Sequence, residues 1–515
     1  MSIVTTPAGM TRRASLPLLR ITTVACLLAA TVAWHALTPA NTDIAWLLTV
    51  GEHVLDGARP YADIIETNPP GSVLLYMPAV LLARAFGLVP EVAVVLLTTL
   101  CAAASLGLSA ALFRGLPDFD RSAPLLRVAA VVLLLLPAGS FGQREHIILM
   151  TSLPLLCAIA ARAASAAPAS LPLRLVAAVA AGVGFAVKPH YALGLVGPLA
   201  MLWRTRGWRG LVATPEAWTA AIVALLLGAV QFAAFPDFTH TVLPLLMRIY
   251  LPARQTWSYL FTCPSAILEV AGLAAYAGLR RNRGAQPIGD TAVLAALGFF
   301  AAYLMQGKGW PYHAYPAIAS TLIGLGALTC GARRPSPVPL VAAGAAILSI
   351  GFVAGVWFDG RRDLRSEAPG LEQAVTSLAP HPKIMSLASD IAVGHPFVRE
   401  IGGRWVGTLM SSWISLEIRR LTGRLDPRGP YGADLALQDR VMASDIRERK
   451  PDAVLATTPG WSSWLASQPT VADALADYHL AGTFGDVMLW TRNAPESGSR
   501  IPSLPVEPAK SSPTR

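Results

Sequence analysis

The chain has 515 residues, of which 54% are hydrophobic and only 14% charged, with a formal net charge of +10. That balance excludes an ordinary soluble globular protein. The basic residues are dispersed between apolar segments rather than gathered on one polar face, which argues against a nucleic-acid partner and for membrane topology as their cause. The five cysteines all fall inside hydrophobic runs without CxxC or Cys/His spacing, so neither a disulfide framework nor a zinc site is indicated.

A bilayer core needs about 20 apolar residues per spanning helix. The first such run, Leu16 to Leu37, follows Arg12 and Arg13. It is long and lacks a small-x-small cleavage pattern, so an uncleaved first helix with a cytoplasmic N-terminus is expected. The first outer loop, residues 39–88, opens with a polar stretch from Asn41 to Gly71 that carries Asp43, Glu52, Asp56, Asp63 and Glu66. Ser72 to Phe86 is short for a span and is interrupted by Pro78 and Arg84, so it reads as interfacial or re-entrant.

Further crossings are expected at Glu91–Phe113, Leu125–Phe141, Ile147–Ala161, Leu173–Val187, Tyr191–Trp203, Trp218–Phe235, Cys263–Leu279, Thr291–Gln306, Tyr312–Thr329 and Val338–Trp357. This places Arg114, Arg121 and Arg127, Arg162 and Arg174, Arg204, Arg206 and Arg209, Arg280, Arg281 and Arg283, and Arg333 with Arg334 on one side, as the positive-inside rule requires. The resulting fold class is an all-α polytopic membrane domain of about eleven crossings over residues 1–358. A small soluble α/β domain follows over 359–492, with strands expected at Lys383–Ala388, Ala453–Thr457 and Val487–Thr491 and a helix at Trp413–Leu421. The Pro- and Ser-rich tail, 493–515, is expected to be disordered.

This topology puts three polar clusters on the side of Asp43 and Asp63. They are Gln143-Arg144-Glu145-His146, Lys188-Pro189-His190-Tyr191, and Lys308 with Trp310, Tyr312 and His313. Each joins a cation to a histidine, and charged groups at the edge of hydrocarbon are functional candidates by default. Arginine, lysine and histidine at helix ends suit a phosphate or pyrophosphate, and at that depth a lipid phosphate. Carboxylates facing such a site suit general-base chemistry or coordination of a divalent metal.

Plainer roles compete. Asp43 could be a helix N-cap, and Asp63, Glu66, Glu52 and Asp56 solvated loop residues. Arg144 and Lys188 could snorkel to headgroups, and Trp310, Tyr312 and Tyr191 could be belt aromatics. Asn68-Pro69-Pro70 could be an ordinary helix start or could fix the carboxylates over the membrane opening.

A first helix, an outer loop opening with Asp43, and then the run Gly57-Ala58-Arg59-Pro60-Tyr61-Ala62-Asp63 through Asn68-Pro69-Pro70-Gly71 resemble the GT-C superfamily of membrane glycosyltransferases. The likeness is greatest to its dolichyl-phosphate-mannose-transferase-like and rhizobial lipopolysaccharide-core group, and covers about the first 360 residues. It implies a bacterial inner-membrane enzyme with a periplasmic C-terminal domain. The enzyme would move a hexosyl or pentosyl group from a polyprenyl-phosphate sugar to a glycan, lipid or protein acceptor. Asp43 or Asp63 would be the base. Glu66, Arg144, Glu145, His146, Lys188, His190, Lys308, Tyr312 and His313 would contact substrate. The family often shows Asp-Glu where this chain has Asp43-Ile44, so the choice between Asp43 and Asp63 stays open. A transporter or flippase of a lipid-linked or anionic solute is the alternative. It would place polar residues near the bilayer midplane within internal repeats, and no repeat is evident.

Overall fold

The computed structural model describes residues 12–38, 40–113, 123–166, 168–281, 286–330 and 362–493. The expected crossing Val338–Trp357, the pair Arg333 and Arg334, and the tail beyond residue 493 lie outside them. The N-terminal part is helical: α1 (Arg12–Leu37), α2 (Thr42–Leu55), α3 (Pro70–Phe86), α4 (Pro90–Phe113), α5 (Ala123–Leu134), α6 (Arg144–Ala163), α7 (Leu171–Val187), α8 (Val196–Val212), α9 (Pro215–Ala234), α10 (Pro264–Arg280), α11 (Pro287–Gln306) and α12 (Pro311–Cys330). Among these, α4, α6, α9 and α11 are long and apolar enough to cross a membrane, and several shorter apolar helices pack beside them.

Two segments differ from expectation. Residues 204–209, read as a loop, continue α8 to Val212 with a break at Gly207. The stretch between the expected crossings Trp218–Phe235 and Cys263–Leu279 is mostly helical, with π-helical turns over Phe238–Val242 and Leu246–Tyr250. Such turns recur at functional sites.

The helices meet in two polar layers at opposite ends of α6. This helix has 20 residues, which at 1.5 Å per residue is about 30 Å. At its C-terminal end Arg162 and Arg174 converge on the buried Glu216 of α9, the latter at 3.0 Å. At its N-terminal end lie Asp43, Lys188 and Lys308 with the C-terminal domain. Both ends of α3 belong to that second layer. Gly71 N donates to Gln231 at the end of α9 (2.7 Å), and Arg84 pairs with Asp56 (2.8 Å) after α2. With both ends in one layer, α3 runs along the end of the bundle.

The C-terminal unit has a five-stranded sheet of β1 (Lys383–Ser386), β2 (Arg404–Trp405), β3 (Ala453–Thr457), β4 (Tyr478–Phe484) and β5 (Val487–Arg492), in the order β2-β1-β3-β5-β4. The first three strands are parallel, and β5 and β4 close the sheet antiparallel. Sequence patterning missed β2, which is two residues long, and β4, which mixes exposed His479, Leu480, Ala481 and Thr483 without an apolar/polar alternation.

Ion pairs and one shared core hold this unit to the bundle. Arg399 pairs with Glu52 of α2 and Glu91 of α4, both at 2.5 Å. Glu52 is therefore a docking residue, not a solvated loop residue. Ile65 N donates to Thr408 O at 2.8 Å. Trp46, Leu47 and Val80 pack in one hydrophobic cluster with Ile384, Phe397 and Trp405.

Candidate active site

The local fold of α2 explains how Asp43 comes to face the cavity. Asn41, not Asp43, is the N-cap: its side chain accepts from Asp43 N at 2.9 Å and donates to Gly139 O at 3.1 Å. With the cap supplied by its neighbour, the Asp43 carboxylate is free to point away from the helix. Its Oδ2 accepts from Arg144 Nη2 at 3.0 Å, Tyr312 OH at 3.1 Å and Gln143 Nε2 at 3.2 Å. Oδ1 takes no hydrogen bond from the described residues, and the side chain is 27% exposed toward the open space.

Arg144 is buried to 2% exposure, yet its Nε and Nη1 have no partner among the described residues. A buried guanidinium with open donors is an anion site awaiting its anion. Behind it, Lys188 is ion-paired with Glu145, whose Oε1 also lies 3.4 Å from His313 Nε2. His190 Nε2 and His313 Nδ1 are buried without a partner.

Asp43, Arg144, Lys188, His190, Tyr312 and His313 line one cavity of about 1030 Å³ between the bundle and the C-terminal domain. Of the residues singled out from sequence, Asp43, Glu66, Arg144, Lys188, His190, Lys308, Tyr312 and His313 line it; Asp63, Glu145 and His146 do not. Asp63 sits in an exposed turn, where it accepts from Arg59 N at 2.8 Å and is 47% exposed. Asp63 therefore stands apart from the cavity wall that Asp43 lines. His146 is buried behind the wall: Nδ1 accepts from Gly142 N at 3.1 Å and Nε2 lies 2.8 Å from Leu133 O. Both ring nitrogens are used in holding the turn before α6, so it is a positioning residue there. Tyr191 is likewise no belt aromatic, since it is fully buried and its hydroxyl donates to His313 O at 2.8 Å.

Glu66 is enclosed at the foot of α3, where the Asn68-Pro69-Pro70 corner starts that helix with proline in its first turn. Trp46 Nε1 and the backbone N of Asn68 donate to it, the latter at 2.6 Å. Burial raises its carboxyl above the usual range, against the lowering field of Arg144 and the donors from Asn68 and Trp46.

Lys308 departs from the role expected of it. Its ammonium donates to Tyr250 O and Ala253 O, each at 2.8 Å, and meets Glu417 of the C-terminal domain at 3.4 Å. All of its donors are committed to protein. Burial, the largest influence, pushes it down to about 8, partly offset by Glu417. Gly307 before it has φ +67°, and a Cβ there would lie 2.5 Å from Arg254 Nε, so the turn that presents Lys308 requires glycine.

The opposite wall was not anticipated residue by residue. Arg362, Asp390, Trp413, Glu417 and Arg420 come from the C-terminal domain, and Tyr250 and Arg254 from the π-helical segment and its exit. The only available signal was Glu417 standing among apolar residues of the amphipathic helix α13 (Trp413–Thr422). Among the described residues no group of three His, Cys, Asp or Glu side chains could hold a metal ion. The Asp43 neighbours are donors, Arg144, Gln143 and Tyr312, which suit an anion rather than a cation.

No family model and no curated protein sequence matches the chain. By structure it is similar to ArnT from Cupriavidus metallidurans bound to undecaprenyl phosphate, with a TM-score of 0.57 at 14% identity over 95% of this chain and 100% of that one. The apo state of the same protein gives 0.52 at 14% identity, covering 95% and 99%. The arabinofuranosyltransferase AftD from Mycobacteria gives 0.44 at 14% identity, covering 92% of this chain and 40% of that one. The polytopic helical part and the small mixed sheet together share the fold of ArnT.

Proposed function

We propose that this chain is a membrane glycosyltransferase. It moves a sugar from a polyprenyl-phosphate donor to a cell-envelope acceptor, on the periplasmic side where the C-terminal domain stands. The observation that carries this reading is the pairing of Asp43 with Arg144 on the wall of a cavity of about 1030 Å³. One carboxylate oxygen is clamped by three donors and the other is left open beside a buried guanidinium with open donors.

In this site Asp43 Oδ1 takes the proton of the acceptor hydroxyl as that oxygen bonds to the anomeric carbon. The anomeric carbon–phosphate oxygen bond breaks, and its electron pair leaves on the lipid phosphate. The open nitrogens of Arg144, with Lys188 and His190 on the same wall, are placed to hold that anion. The phosphate leaves as a stable anion, so no general acid is required and electrostatic stabilisation is the larger contribution. Leu243, Leu246, Leu251 and Met305 give the cavity an apolar side suited to a prenyl chain, with Leu251 and Met305 exposed on the outer surface of the bundle. The undecaprenyl phosphate bound by ArnT is a ligand of the chemistry this cavity accommodates.

The test is transfer of a radiolabelled sugar from its polyprenyl phosphate by the purified chain in nanodiscs. Full activity of Asp43→Asn would refute the mechanism. Transbilayer movement of the labelled lipid without any transfer product would replace it with the flippase reading.

A further inference from the structure

A second, smaller crevice lies in the C-terminal domain and takes no part in the chemistry above. Its position follows from the sheet. In the parallel part, with order β2-β1-β3, the chain leaves β1 toward one neighbour and returns to the other, so a crevice opens between the loops after β1 and β3. Open parallel sheets bind ligands at this switch point, outside the carboxyl ends of the strands. All three parallel strands deliver polar groups to it: Ser389 after β1, Ser412 after β2, and Thr457 at the end of β3.

Two observations mark the crevice as built for a ligand. Ser412 is buried to 1% exposure and its Oγ has no hydrogen-bond partner among the described residues, although its backbone N donates to Ala388 O at 2.8 Å. A buried hydroxyl left unpaired at the wall of a crevice awaits a partner in the space it lines. At the rim, half-buried Trp461 stacks on Trp464, with ring centroids 5.4 Å apart and planes at 23°, and Trp464 is fixed in turn by donating to Ser415 Oγ at 3.1 Å. Arg419, exposed on α13, reaches across: Gly460 has φ +74°, and a Cβ there would stand 3.2 Å from Arg419 Nη1. The glycine admits the guanidinium to the edge of the tryptophan pair.

We propose that this crevice binds a saccharide unit of the acceptor. A rigid aromatic face at the rim, hydroxyls below and an arginine beside them are the elements that hold a sugar ring by its apolar face and its oxygens, with Arg419 placed for an acidic substituent. The enclosed space of about 50 Å³ equals about four ordered waters, so the ring enters by one edge and lies against the exposed part of Trp461, whose ring also packs against Trp490 with centroids 5.9 Å apart. Ser389 and Leu416 line both this crevice and the large cavity, so an acceptor chain anchored here extends directly toward Asp43. The acceptor role rests on the transferase reading; saccharide binding by the crevice does not.

The test uses the full chain in nanodiscs and saturation-transfer NMR with neutral hexose, aminohexose and uronic-acid trisaccharides. Wild type and Asp43→Asn are expected to bind alike, with the uronic-acid probe tightest. Trp461→Ala weakens every probe by about tenfold, and Arg419→Ala, at an exposed position that does not burden folding, removes the preference for the acid. Absence of saturation transfer from the whole panel, or wild-type binding by both variants, overturns the proposal. Absence of sugar transfer by wild type together with intact trisaccharide binding refutes the transferase reading alone and leaves the crevice standing.

Discussion

The two ends of α6 carry the same pair of functional groups in opposite circumstances. At one end Arg162 and Arg174 surround Glu216, which is fully buried, and both of its oxygens are paired. At the other, Arg144 gives one nitrogen to Asp43 and keeps two open, while Asp43 keeps one oxygen open, and both face the large cavity. A buried ion pair that satisfies itself ties helices together. One that leaves donors and an acceptor unsatisfied beside a cavity has been shaped around something else.

The comparison makes separate predictions for the two ends. The largest effect is expected from Asp43→Asn, which should lower sugar transfer by about 10²–10⁴-fold with little change in thermal stability. Arg144→Lys keeps the charge but loses the planar fork; transfer should fall about a hundredfold, measured with the same labelled donor. Glu216→Gln should do the reverse, costing about 3 kcal/mol of stability while each folded molecule transfers at the wild-type rate. If Glu216→Gln lost activity without losing stability, the contrast between the two ends would collapse.

Lys308 tests the junction with the C-terminal domain. Its folded value is pushed down to about 8, whereas in the unfolded chain it titrates near about 10.4. The unfolded state therefore binds more protons between these values. The Lys308 contribution to stability is present above the higher value and is lost as pH falls through the lower one. The melting temperature of wild type should rise relative to Lys308→Met between these two pH values. Equal pH profiles would show that Lys308 is not buried at the junction. The smallest effect is expected from Asp63→Asn in its exposed turn, within about 0.5 kcal/mol in stability and with transfer unchanged.

Much of the site could be read from local chemistry. Charged residues at the ends of apolar runs are costly there, and Arg144, Lys188 and Asp43 stand out for that reason alone. Their convergence on one layer followed from the arginines at the opposite helix ends. What misled was the assumption that each cation serves the ligand. Lys308 is consumed by two carbonyls and Glu417, and His146 by the turn it braces. Sequence spacing cannot report which donors have already been spent. The short strand β2 and the largely exposed β4 were hidden because neither carries a clean alternation.

The sequence by itself determined the membrane-spanning class and the apolar helices that build it, because hydrophobic length and charge placement are local costs each residue meets in any fold. Only the tertiary structure set Asp43 on the cavity wall and Asp63 in an exposed turn, gave the N-cap to Asn41, and brought Glu417, Arg420 and the Trp461 crevice to the cavity. Those outcomes depend on which groups remain unsatisfied after distant segments have packed, and no segment carries that information alone.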